Sequence, residues 1–246
     1  MRITTVINQK GGVGKTTTAH ALATGLNHRG YKSLVIDTDP QGNISFTMQA
    51  DATRAGLYEA MRGEISAAEA IQHTAQGDIM PSSLYLAGAD LEFTQTGREY
   101  RLRELLEDIT GNYTHIIIDS PPALGIMTIN ALTASSDIVI PVGADIYSLQ
   151  GLQQLLATVD KVKKYSNPGL RLAGLLITRR GQRAIATRQL IEAIKARAAT
   201  LHAHLYRATI REAIAIKEAQ IMQGSIFETH AKMLPCMICA SLMAIA

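Results

Sequence analysis

Residues 5–18, TVINQKGGVGKTTT, place three glycines, two lysines and a run of threonines where a phosphate group could be held. A β-branched run at 3–7 leads in, and Ala19, Leu22, Ala23 and Leu26 at helical spacing lead out, so a Gly-rich loop joins a strand to a helix N-terminus. Gly11, Gly12 and Gly14 let the backbone curl with its amides pointing inward, and the helix dipole adds to the same positive field. Across residues 11–17 that cradle would be built from Gly11, Gly12, Val13, Gly14, Lys15, Thr16 and Thr17. Lys15 would reach the β- and γ-phosphates of a nucleotide, and the Thr16 hydroxyl would join a Mg²⁺ shell.

Two carboxylate motifs follow in order. Residues 33–36 form an apolar strand that runs out into Asp37-Thr-Asp39-Pro-Gln-Gly-Asn43, placing two carboxylates at a strand's carboxyl end, where α/β sheets bind ligands. Further on, His115-Ile-Ile-Ile-Asp119 is a buried strand ending in a lone aspartate, which suits a water-mediated hold on Mg²⁺. Such a strand alone is a weak signal, but its order and spacing behind the other two motifs make it a strong one.

The usual phosphate-loop pattern requires Gly five residues before Gly14, where this chain has Gln9 followed by Lys10. The resulting K-G-G-V-G-K-T resembles the deviant Walker motif of the ParA/MinD ATPases, and D-T-D-P-Q-G-N resembles that family's second motif. Together with Ile138-Val-Ile-Pro-Val142 and Ser148-Leu-Gln-Gly-Leu152, the likeness extends over about residues 1–230. The resemblance implies a P-loop three-layer α/β fold, a mainly parallel twisted sheet with helices on both faces, and ATP and Mg²⁺ as cofactors. It implies catalytic roles for Lys10, Lys15 and Asp39: Lys10 crossing to the partner's nucleotide in an ATP-sandwich homodimer, and Asp39 placing the attacking water. It also implies a metal network of Thr16, Asp37 and Asp119, the two aspartates acting through water. Members often carry Pro-Arg-Asn after the last strand to read adenine; residues 209–213, Thr-Ile-Arg-Glu-Ala, lack that Asn, leaving Thr178 and backbone groups as the nucleotide-binding candidates there.

A formal net charge of +3 hides an asymmetry. Residues 1–159 carry 10 Lys and Arg against 16 Asp and Glu, whereas residues 160–246 carry 14 against 5. So basic a C-terminal part predicts a polyanion-binding surface, and the family resemblance implies that the polyanion is non-specific double-stranded DNA, with Arg179, Arg180, Arg183 and Arg188 as candidate contacts. With only 4% aromatic residues and no Trp, base stacking is a poor basis for such binding. The family resemblance implies a partition ATPase whose hydrolysis a ParB-like adaptor stimulates, cytoplasmic and associated with the nucleoid.

Two other functions are open to a deviant-Walker chain: a MinD-like membrane-associated regulator and a P-loop iron–sulfur carrier. Residues 233–246 are almost wholly apolar and carry no Lys or Arg, so they do not read as a basic amphipathic membrane helix, and no stable membrane association is expected. Cys236 and Cys239 are the chain's two cysteines and cannot complete a tetrahedral site within one copy. Residues 1–230 are expected to form one ATPase domain, with 231–246 as an atypical tail.

The elements that must position these groups alternate along the chain, as expected for a parallel sheet. Apolar runs predict strands at 3–7, 33–36, 84–87, 115–118, 138–142 and 172–177. Periodicity and caps predict helices at 16–28, 66–72, 90–109, 127–134, 148–165, 184–199 and 214–222, the second opened by the capping box Ser66-Ala-Ala-Glu69.

Overall fold

Eight strands form one sheet in the order β3-β4-β2-β5-β1-β6-β7-β8, seen in a computed structural model that describes residues 1–143, 151–180, 185–201, 203–211, 218–219 and 221–224. The strands are β1 (Arg2–Val6), β2 (Ser33–Asp37), β3 (Gln72–Thr74), β4 (Gly77–Met80), β5 (His115–Asp119), β6 (Asp137–Gly143), β7 (Arg171–Arg180) and β8 (Leu205–Arg211). The β3–β4 hairpin is antiparallel, and the other pairings described are parallel.

Strand β1 lies between β5 and β6, and the chain leaves it in two directions. Helix α1 (Lys15–His28) carries β1 across to β2 on one side, whereas α7 (Ile126–Ala134) carries β5 across to β6 on the other. With right-handed crossovers, opposite directions of travel put the two helices on opposite faces and open a crevice at the carboxyl ends of the strands between them.

The core follows from the period-2 alternation of strands buried on both faces. Val35 and Ile117 pack with Ala19, Leu22, Ala23 and Leu26 of α1, while Leu34, Ile36, Ile116 and Ile118 pack against α3 (Leu57–Arg62), α6 (Arg101–Glu107) and α7. Farther along the sheet, Ile138, Ile140 and Val142 meet Leu155 and Val159 of α8 (Leu152–Tyr165) and Ile194 of α9 (Ile185–Thr200).

Three expectations are corrected. Residues 84–87 form a 3-10 turn instead of a strand, because β3 already occupies the outer edge of β4, and Leu84 and Tyr85 point to solvent. The helix expected over 90–109 is broken into α5 (Ala89–Glu92), a 3-10 turn at Arg98–Tyr100, and α6. The break sits at Gly97, whose φ of 84° is left-handed. The capping box at Ser66 forms as read, yet α4 (Ala67–Ala70) stops where Ile71 turns extended to start the hairpin. Strands β3, β4 and β8 and helices α2 (Asn43–Thr47) and α3 are additions to the elements read from the sequence. β8 buries Tyr206, Ala208 and Ile210 and exposes Arg207, an alternating strand that a search for continuous apolar runs passes over.

Candidate nucleotide and metal site

Beyond β1 the chain stays in the sheet for one more residue, the Ile7 amide donating to the Val139 carbonyl at 3.0 Å. Asn8 then turns it. Its side-chain amide donates to the Pro141 carbonyl at 2.7 Å, and its side-chain oxygen accepts the Lys10 amide at 3.0 Å. Gly12 and Gly14 follow at φ 71° and 85°, a conformation that a Cβ disfavours. From below, the Thr178 hydroxyl donates to the Val13 carbonyl at 2.6 Å, tying the loop to the end of β7. Inside α1, Thr18 returns both its amide and its hydroxyl to the Gly14 carbonyl, at 2.9 and 2.7 Å. Gly14 is the cap of α1 and, having no side chain, cannot cap the helix itself, which suits that end to an anion.

Lys15 is buried at 7% exposure, its ammonium donating to the Lys10 carbonyl at 3.3 Å. Burial lowers its pKa, while Asp119 and Asp39 act in the opposite direction. A lysine held this way is a charge kept close to the loop it would serve.

The parallel register of β1, β2 and β5 sets Asp119 level with Val6 on one side and Asp37 on the other. Both carboxylate oxygens of Asp119 are buried without a protein hydrogen-bond partner. Burial, then the Asp37 carboxylate, push its pKa well above the usual carboxylate range, against the pull of Thr16 and Lys15. A buried carboxylate with two unsatisfied oxygens is costly, and a hydrated cation would satisfy it. Mg²⁺ is commonly held by one or two carboxylates, phosphate oxygens and several waters, and Asp119 with Thr16 fits that donor set.

Asp37 is differently placed. Its Oδ1 accepts the Asp39 amide at 3.1 Å, and its Oδ2 accepts the Ser45 amide at 3.1 Å and the Ser45 hydroxyl at 2.6 Å. Burial raises its pKa to about 7 in spite of those bonds. A carboxylate offers about four lone-pair sites, so three protein donors leave little for the metal water expected of it. Its geometry fixes the turn that carries Asp39. Asp39 is itself buried, its Oδ1 accepting the Gln41 amide at 3.0 Å.

The fold therefore gathers Lys10, the 11–17 loop, Asp37, Asp39, Asp119 and Thr178 at one end of the sheet. Thr178 is there as well, its hydroxyl donating to the Val13 carbonyl. The arginines are another matter. Arg179 and Arg180 close β7 and Arg188 lies in α9, with the backbone alone described, while Arg183, residues 148–150, most of 214–222, and the tail with Cys236 and Cys239 lie outside the described residues. Asn8, Thr38 and Ser45 are site residues that motif reading missed. Thr38 gives both its amide and its hydroxyl to the Asp119 carbonyl, at 3.0 and 2.7 Å, holding the two acidic strand ends together.

A family model described as an AAA domain matches residues 1–172. The chain is 42% identical over 200 residues to the sporulation initiation inhibitor protein Soj of Bacillus subtilis, covering 79% of each, and 38% identical over 203 residues to the chromosome partitioning protein ParA of Caulobacter vibrioides, covering 80% of this chain and 76% of that protein. This chain belongs to the ParA/Soj family of partitioning ATPases. Cobyrinic acid a,c-diamide synthase from Mycobacterium smegmatis, solved with bound ADP and magnesium, superposes with a TM-score of 0.82 at 31% identity, covering 93% of this chain and 91% of that one. The ParA/Soj assignment thus agrees with the P-loop α/β fold and with the motifs that define the crevice. Among the described residues, no helix is long and apolar enough to cross a membrane.

Proposed function

We propose that this ParA/Soj member hydrolyses ATP with Mg²⁺ as an ATP-sandwich homodimer, holds non-specific DNA in that state, and releases it after hydrolysis stimulated by a ParB-like adaptor. The observation that carries the reading is Asp119, with two unsatisfied buried oxygens beside Lys15 and beneath the Gly-rich loop. When bound, Mg²⁺ supplies charge neutralisation of the phosphates.

The chain's own groups account for the rest. The loop amides and Lys15 hold the phosphates, and Asp119 and Thr16 face the metal's water shell. Asp39, fixed by its turn, orients a water toward the terminal phosphate. Phosphoryl transfer depends mainly on such positioning and charge stabilisation, so a loose site turns over slowly until a partner completes it. Lys10, whose carbonyl the Lys15 ammonium already contacts, extends its own charge toward the second copy.

DNA binding is assigned to Arg179, Arg180, Arg183 and Arg188, each dimer presenting the set twice. The protein then works in the cytoplasm on the nucleoid. The test is a salt titration on duplexes of unrelated sequence, with ATP and with ADP, for wild type and Arg183→Ala. Binding that requires ATP, ignores sequence, and has a salt slope shallower in the variant by about 0.9 for each phosphate no longer neutralised supports the proposal. Equal affinity in the two nucleotide states, or an unchanged slope, contradicts it.

A further inference from the structure

The turn that carries Asp39 is closed by a ring of four hydrogen bonds through two serines. The Asp39 amide donates to Asp37 Oδ1 at 3.1 Å, and Asp37 Oδ2 accepts the Ser45 hydroxyl at 2.6 Å. Ser45 Oγ accepts the Ser82 amide at 3.0 Å, and the Ser82 hydroxyl donates to the Asp39 carbonyl at 2.6 Å. Both main-chain polar groups of Asp39 are thus members of the ring. Its other members come from the end of β2, from α2, and from the segment after β4. Sheet register brings the last of these into place, since Ile36 pairs with Met80 and Ser82 follows two residues later.

The direction of each bond is fixed by its chemistry. Amides can only donate, and the single proton of Ser45 goes to Asp37 while its lone pair receives Ser82. The bonds therefore run as two chains from Ser82 to Asp37, one through the Ser45 hydroxyl and one through the Asp39 main chain, and a closed network of this kind holds its geometry more firmly than separate bonds. Asp39 sits in a loop, where a carboxylate would otherwise wander, and a displacement of about 1 Å can cost on the order of 100-fold in rate.

We propose that Ser45 and Ser82 are positioning residues for hydrolysis, acting through Asp37 and the Asp39 main chain to aim the Asp39 carboxylate. The inference rests on the reading of Asp39 as the group that orients water. It also gives α2 and the β4 segment a stake in turnover, although neither supplies a phosphate-binding group.

The test is steady-state ATP turnover and nucleotide affinity of the full chain for wild type, Ser45→Ala, Ser45→Thr, Ser82→Ala, the double alanine variant and Asp39→Ala. Ser45→Ala and Ser82→Ala should each lower kcat about tenfold or more, with KM changed by less than about twofold. Ser45→Thr, which keeps the hydroxyl, should restore most of the loss. The double variant should fall short of the product of the single effects, since both break one ring. Ser66→Ala, which removes the α4 cap far from the ring, should lower thermal stability without changing kcat and shows what a purely structural loss looks like.

Near-normal kcat in both serine variants alongside an inactive Asp39→Ala overturns the positioning role and leaves the role of Asp39 intact. Parallel losses of kcat, affinity and thermal stability that threonine fails to rescue make Ser45 structural and also overturn it. Should Ser45→Ala not fold, Ser82→Ala on its half-buried segment decides the matter by the same kcat-against-KM criterion. Wild-type turnover in Asp39→Ala removes the functional reading itself, and the inference with it.

Discussion

Asp119 and Asp137 are equally buried, each 1% exposed, and lie at opposite ends of neighbouring parts of the sheet, yet they are held in opposite ways. Asp137, at the amino end of β6, accepts from Arg2 Nε at 2.9 Å, Arg171 Nε at 3.1 Å and the Ser136 hydroxyl at 2.9 Å. Burial alone would raise its pKa, but those bonds together hold it below the usual carboxylate range. Asp119, at the carboxyl end of β5, has no such partner and is pushed well up. Burial therefore does not separate a structural acid from one proposed to face a metal. What separates them is whether the protein itself satisfies the charge.

The largest expected effect lies at the functional end. Lys15→Ala should abolish measurable ATP binding by calorimetry, because the cradle would face several phosphate charges with amides alone; retained binding would mean that Lys15 is no more than a buried support. Lys10→Ala should keep ATP binding but lose ATP-dependent dimerisation, read by light scattering. A normal dimer would remove the cross-interface role.

At the structural end, Asp137→Asn should destabilise the protein by about 2 kcal/mol in urea unfolding, the cost of charge-assisted hydrogen bonds discounted for the exposure of Arg171. ATP turnover per folded molecule should not change. A fall in turnover without a fall in stability would erase the distinction between the two ends.

The smallest effect is on pH dependence, and its sign differs between the ends. Asp137 is held below its ordinary value of 3.8, so its contribution is fully present above that pH and is lost as pH falls through the lowered value. Asp37 is raised to about 7, so in chelator the protein should lose stability as pH rises from about 4 to 7 and then level off. Thermal melts in chelator at pH 5 and pH 8 should show the second trend, blunted in Asp37→Asn. A melting temperature that rises across that interval would contradict it.

The site was more legible in the sequence than the scaffold beside it. The loop, Asp39 and Asp119 could be read because phosphate chemistry demands particular residue types at fixed spacings, and the parallel strands because two-sided burial demands apolar runs. Strand β8 was hidden by its one-sided burial, strand β3 by its polarity, and the break at Gly97 by apolar residues that continue on either side of it. Asn8, Ser45 and Ser82 were hidden for another reason. Each acts through a tertiary contact, to Pro141, to Asp37 and to Asp39, which local spacing does not record.

The central claim is that Asp119 is left unsatisfied by the protein because a hydrated Mg²⁺ completes it. The direct measurement is calorimetric ATP affinity with Mg²⁺ and with chelator, for wild type and Asp119→Asn. Wild type should bind ATP more tightly with Mg²⁺, and the variant should lose that increment while binding metal-free ATP at least as well, one buried acid having been removed. An Asp119→Asn protein that keeps the full Mg²⁺ increment would contradict the account.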